Sequence, residues 1–124
     1  MKLIIGGAYQ GKLDFAKDHF GIKDDEVFTC DGWEIDFSRR CICGFEKFTL
    51  ASIRENVDPE TYMREHREQW EHSIIICRDI FCGVVPVEEE TRQWRQITGR
   101  VIQYLSQEAE QVSRIFCGLE QRLK

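Results

Sequence analysis

The chain has 124 residues, 42% hydrophobic, 31% charged and 11% aromatic, which fits a single soluble globular domain over 1–124 and excludes a disordered chain. Its 17 Lys+Arg against 22 Asp+Glu leave a formal charge of -5. That balance argues against broad, charge-driven binding to nucleic acid or an anionic membrane, and leaves room for a small local anion site. No apolar run approaches the ~20 residues that span a bilayer. The opening Met1-Lys2-Leu3-Ile4-Ile5 is too short for a secretory leader, so a cytoplasmic location is expected.

Lys2–Gly6 is a short apolar run closing in Gly6-Gly7, and reads as a first strand. From Lys12, the residues Leu13, Ala16 and Phe20 recur at helical spacing, and Gly21 supplies the stop. Residues 26–30 read as a second strand closed by Asp31-Gly32. Residues 32–48 carry no clear period, and Ile42 and Phe45 fit either a strand or an irregular link. Asp58 as N-cap and Pro59 at the first helical position open the next helix, with Tyr62, His66 and Trp70 on one face. Ile74-Ile75-Ile76-Cys77 is the continuous apolar run of a strand buried on both sides.

Beyond Gly83 and Pro86, Glu88-Glu89-Glu90 place negative charge at the start of a long helix, where the macrodipole favours it. Its apolar stripe is Trp94, Ile97, Val101, Leu105, Ala109 and Val112. Ile115-Phe116-Cys117-Gly118 reads as a closing strand before a basic tail with Arg122 and Lys124. Strands alternating with helices predict an α/β domain with a mostly parallel sheet. The six cysteines, Cys30, Cys41, Cys43, Cys77, Cys82 and Cys117, form no C-x-x-C pair. They are predicted to be reduced structural thiols, with Cys77 and Cys117 inside apolar runs. A metal site at Cys41 and Cys43 lacks a histidine close in sequence.

The sharpest motif is Gly6-Gly7-Ala8-Tyr9-Gln10-Gly11-Lys12, which satisfies G-x-x-x-x-G-K between a predicted strand and a predicted helix. In such a turn, backbone N–H groups converge on phosphate oxygens at a helix N-terminus and the lysine reaches the terminal phosphates. The position that binds Mg²⁺ through a Ser or Thr hydroxyl is here Leu13, which has no oxygen. Asp79 closes the buried strand, where parallel sheets place ligand-binding groups, and is a candidate to hold Mg²⁺ or to position a water.

The N-terminal loop and the C-terminal third together carry a family resemblance. Gly6-Gly7-Ala8-x-x-Gly11-Lys12 resembles the G-G-A-R-S-G-K-S loop of the adenosylcobinamide kinase/adenosylcobinamide-phosphate guanylyltransferase family. Residues 75–87, I-I-C-R-D-I-F-C-G-V-V-P-V, are similar to its V-S-N-E-V-G-x-G-I-V-P segment. Thr98-Gly99-Arg100-Val101-Ile102-Gln103 is similar to G-R-x-N-Q, and Cys117-Gly118-Leu119-x-x-Arg122-Leu123-Lys124 to A-G-L-P-x-R-x-K.

The resemblance implies a P-loop NTPase-like three-layer α/β sandwich acting in cobalamin biosynthesis. A nucleoside triphosphate, ATP or GTP, would sit on residues 6–13 (Gly6, Gly7, Ala8, Tyr9, Gln10, Gly11, Lys12 and Leu13), with a corrinoid as acceptor. Lys12 and Asp79 are then the catalytic candidates, with Asp79 the one for a metal. Arg78 and Asp79 stand where the family has the asparagine and glutamate of S-N-E, and its guanylylated histidine has no secure counterpart. His66, in Met63-Arg64-Glu65-His66-Arg67, resembles that region faintly and reads better as a packed structural residue. Two functions follow: a kinase or guanylyltransferase of the cobinamide type, or a nucleotide-binding relative that has lost phosphoryl transfer. Monomer and homo-oligomer both stay open.

Overall fold

The computed structural model describes residues 1–80 and 88–124. Residues 81–87, with Phe81, Cys82, Gly83 and Pro86 of the family-like segment, lie outside the described residues. In chain order the elements are β1 (Lys2–Gly6), α1 (Lys12–Phe20), a 3₁₀ turn (Asp24–Glu26), β2 (Val27–Thr29), β3 (Cys41–Cys43), α2 (Phe45–Arg54) and α3 (Pro59–Glu65). They continue with α4 (Arg67–Trp70), β4 (Ile74–Arg78), α5 (Glu89–Glu108), β5 (Gln111–Phe116) and β6 (Leu119–Arg122).

The strands form one six-stranded sheet in the order β2-β3-β4-β1-β5-β6. The first five strands are mutually parallel, and only β6 runs antiparallel, against β5. Side chains alternate between two cores as the pleat requires. Leu3, Ile42, Ile75, Cys77 and Val112 face one way, with α2, α3 and α5 packed over them. Ile4, Cys41, Ile74, Ile76 and Ile115 face the other way, with Ala16 of α1. The sheet is thus the middle of three layers.

Several expectations are corrected. Helix α2 was not expected. Its buried stripe is Phe45, Phe48, Thr49 and Ser52, and the two hydroxyls hide it from a hydrophobicity reading. Those hydroxyls enter the core because each donates to a carbonyl of its own helix, Thr49 to Glu46 at 2.9 Å and Ser52 to Phe48 at 2.8 Å. The expected continuous face Tyr62–His66–Trp70 is broken at His66, which caps α3 before the short α4 begins. Asp58 and Pro59 cap α3 as expected, the Asp58 side chain accepting from the Glu60 N–H at 3.1 Å.

The long helix stops at Glu108, so Ala109 is its cap and Val112 belongs to β5. Helical and strand periods coincide over that short window. The boundary is set by the Glu110 N–H donating to Met1 O at 3.0 Å, which starts β5 beside β1. The basic tail is instead the edge strand β6, reached through a tight turn with positive φ at both Cys117 (52°) and Gly118 (75°). Cys117 is accordingly exposed at a hairpin tip, not packed in an apolar run. Among the described residues, no helix is long and apolar enough to cross a membrane.

Candidate functional site

A parallel sheet brings the carboxyl ends of its strands to one edge, and Gly6 of β1 lies in register with Arg78 of β4 and Ile115 of β5 there. The predicted loop forms the turn from β1 into α1. Gly6 is required by close approach, because a Cβ there would lie 2.6 Å from the Ile115 carbonyl oxygen. Gly11 is required by conformation: it caps α1 at φ 86°, in the left-handed region. Tyr9 also has positive φ, 59°, and its side chain is fully exposed at the crest of the loop.

Lys12 folds back over this turn and its Nζ donates to Gly7 O at 2.6 Å. Burial lowers the Lys12 pKa, and the nearby Glu46 carboxylate opposes that shift. Lys12 is thus a partly desolvated cation whose Nζ is held by the Gly7 carbonyl at the mouth of the turn. A cavity of about 230 Å³ opens over Tyr9, Gln10, Gly11, Lys12, Leu13 and Asp14, with Cys43 and Ile76 at its side.

The loop is also tied to the β5–β6 hairpin. Gln10 Oε1 accepts from the Cys117 N–H at 2.6 Å, and Gln10 O accepts from the Gly118 N–H at 2.9 Å. Leu13 is half-buried and packs against the α1-side core, so its position serves apolar contact.

Asp79 is brought next to the loop. Its N–H donates to Gly6 O at 2.7 Å, while its carboxylate lies 4.0 Å from the Arg114 guanidinium. Sequence reasoning missed Glu46. This carboxylate, in a residue only 9% exposed, sits in the first turn of α2. Its Oε1 accepts from the Arg78 N–H at 2.9 Å, locking it to the end of β4. Trp94 Nε1 fixes the same turn by donating to Glu46 O and Thr49 Oγ1, both at 3.0 Å. An acidic residue following a strand-like Cys41-Ile42-Cys43-Gly44 was the available signal.

His66 does not join the site. It stacks on Tyr62 at 4.1 Å between ring centroids and on Phe37 at 5.6 Å, with Nδ1 2.7 Å from Tyr62 O. Cys41 and Cys43 are neither exposed nor acidic thiols: burial pushes Cys41 up to about 12 and raises Cys43 as well. Cys30 is likewise raised to about 12 and Cys77 well above the usual thiol range, so these thiols stay protonated. Among the described residues, no group of His, Cys, Asp or Glu is gathered as a metal cage.

This fold, with helices on both faces of a mostly parallel sheet, is that of a P-loop NTPase-like three-layer sandwich. The chain belongs to the cobinamide kinase / cobinamide phosphate guanyltransferase family, whose model matches residues 45–123. The match takes in α2, with Glu46, and runs to the end of the hairpin, and it begins after the loop. Membership assigns the chain to cobalamin biosynthesis. No individual curated protein matches it.

Proposed function

We propose that the chain binds a nucleoside triphosphate, ATP or GTP, on residues 6–13 and transfers a phosphoryl or GMP group from it to a corrinoid in the cytoplasm. The observation that carries this reading is the placement of Lys12, poised over Gly7 O at 2.6 Å at the mouth of the loop cavity. The loop amides and the N-terminus of α1 hold the phosphates, and Lys12 neutralises the charge that develops on the transferred group. Asp79 orients the acceptor side, and Glu46 keeps Lys12 charged and in place.

Position 13 does not fit a magnesium ion, because Leu13 is packed apolar side chain. Asp79 and Glu46 fit one better, since both place a carboxylate at the carboxyl edge of the sheet beside the loop. There the ion would add charge neutralisation on the phosphates. The packing of Leu13 also favours a second reading, in which the nucleotide is bound and no group is transferred.

Calorimetry with ATP and GTP, with Mg²⁺ or chelator, followed by turnover on cobinamide, separates the two readings. Binding with turnover supports transfer, and binding alone supports the second. Lys12→Ala is expected to weaken triphosphate binding by about tenfold or more, with the melting temperature unchanged or raised, because a partly desolvated charge is removed. Equal affinity in mutant and parent would remove the phosphate-loop assignment. Leu13→Thr should make affinity more Mg²⁺-dependent, at about 1–3 kcal/mol of stability if its hydroxyl is left without a partner.

A further inference from the structure

Among the described residues, β6 is the last strand at its end of the sheet and pairs with β5 alone. Opposed residues of an antiparallel pair alternate between those that exchange backbone hydrogen bonds and those that do not. The Leu123 N–H donates to Val112 O at 2.8 Å, so Leu119, Gln121 and Leu123 turn their backbone groups toward β5. Glu120 and Arg122 therefore direct an N–H and a C=O each to the outer edge. Beyond Leu123 the chain leaves the edge, with Lys124 Nζ donating to Ser106 O and Gln107 O at 3.0 Å each. Of the five exposed large hydrophobic side chains among the described residues, Phe116, Leu119 and Leu123 lie on this hairpin, which concentrates exposed apolar surface here.

We propose that this edge joins two copies of the chain, their β6 strands pairing antiparallel about a two-fold axis at Gln121. The stretch Leu119-Glu120-Gln121-Arg122-Leu123 is complementary to its own reverse. Glu120 of one copy stands opposite Arg122 of the second, once on each side of the axis, and these are the residues whose backbone groups point outward. Leu119 stands opposite Leu123 on the other face of the sheet, and Phe116, paired with Leu119 in the hairpin, extends that apolar row. Gln121 meets its own copy on the axis, where two amides can exchange hydrogen bonds. Opposite-charge and apolar cross-strand pairs of this kind are what stabilise an antiparallel ladder.

Neighbouring registers are rejected by charge or by pleat. Moving the axis to Glu120 or to Arg122 keeps the backbone bonds but sets like charges face to face. A slip by one residue opposes side chains that belong on different faces. Exposed edges are commonly blunted by charge; opposite signs at alternate positions discourage other strands and admit a second copy. Both charged side chains lie on the α1 face and are already held there. Glu120 Oε2 accepts from Ser113 Oγ at 2.6 Å, and Arg122 Nε donates to Lys124 O at 2.7 Å. The contact is small beside the roughly 1,200 Å² of a stable complex, so the dimer forms reversibly. It depends on nothing that the β1–α1 loop binds.

Sedimentation of the whole chain over a dilution series should show a monomer–dimer equilibrium. Glu120→Arg and Arg122→Glu should each weaken self-association at least about tenfold, since like charges then meet at both pairs. An equimolar mixture of the two variants should associate again, because every charge on one then faces its opposite on the other. A misfolded variant could not give that rescue. At high concentration, amide exchange in the parent should slow at Glu120 and Arg122 and stay unchanged at Gln121, whose N–H already faces β5. A parent that stays monomeric up to its solubility limit overturns the proposal. So does an association that neither variant weakens, a mixture that fails to associate, or a cyclic trimer in place of the dimer.

Discussion

The buried side chains on the α1 face of the sheet are mostly aliphatic, Ile4, Ala16, Ile74, Ile76 and Ile115, with Phe15 and Phe20 only partly buried against them, whereas the opposite face buries Phe45, Phe48, Met63, Trp70, Tyr104 and Leu105. Among the described residues, the nine-residue α1, with only Ala16 fully buried, lies over the first face, while α2, α3 and α5 cover the second. Large rings bury about 150–250 Å² each, so the second face carries most of the hydrophobic stabilisation. The two faces divide the labour between holding the fold and presenting the loop.

Removing a ring from the heavy face should produce the largest effect. Trp70 is 1% exposed, its Nε1 donates to Met63 O at 2.7 Å, and its ring meets Tyr104 edge-on. Trp70→Ala is expected to cost about 3–5 kcal/mol in a denaturant titration. At a temperature where the variant is still folded, its triphosphate affinity should match the parent. A loss of affinity by the folded fraction would show that the faces are coupled.

On the light face, Gly6→Ala should cost less stability but strike the site. The new methyl meets the Ile115 carbonyl at 2.6 Å, a backbone atom that cannot swing aside. A loss of about 1–3 kcal/mol is expected, together with loss of binding as β1 shifts against β5. Retained affinity with parent-like stability would mean that the turn is softer than its contacts imply.

The smallest expected effect is at the tie between loop and hairpin. Gln10→Ala removes the acceptor of the Cys117 N–H and should cost about 0.5–1.5 kcal/mol. Amide exchange at Cys117 should accelerate, while Gly118, bonded to the Gln10 carbonyl, keeps its protection. Parent-like exchange at Cys117 would show that the hairpin holds itself.

The loop was legible because its constraints are local. Gly6, Gly11 and Lys12 sit within seven positions, between an apolar run and a helical repeat, and that spacing sets the turn from β1 into α1. Helix α2 was not, because Thr49 and Ser52 occupy core positions as polar residues that satisfy themselves. Strand β6 was equally hidden, since Leu119–Arg122 is exposed throughout and has no buried face to alternate. Its only local signal was Cys117-Gly118, a weak relative of the Asn-Gly hairpin turn.

The sequence by itself determined the α/β class, β1, α1 and β4, the caps at Asp58 and Gly21, and the place of the turn from β1 into α1, all set by neighbours along the chain. Only the tertiary structure decided that Glu46 lies close enough for its charge to act on Lys12, that Asp79 joins the loop through Gly6, and that Gln10 is bonded to the hairpin. Those pairs are separated by between 34 and 107 residues or belong to different strands, and their meeting depends on strand order. No period or spacing in a sequence encodes which strand lies beside β1. That order follows from burying the aromatic face and the aliphatic face of one sheet at the same time.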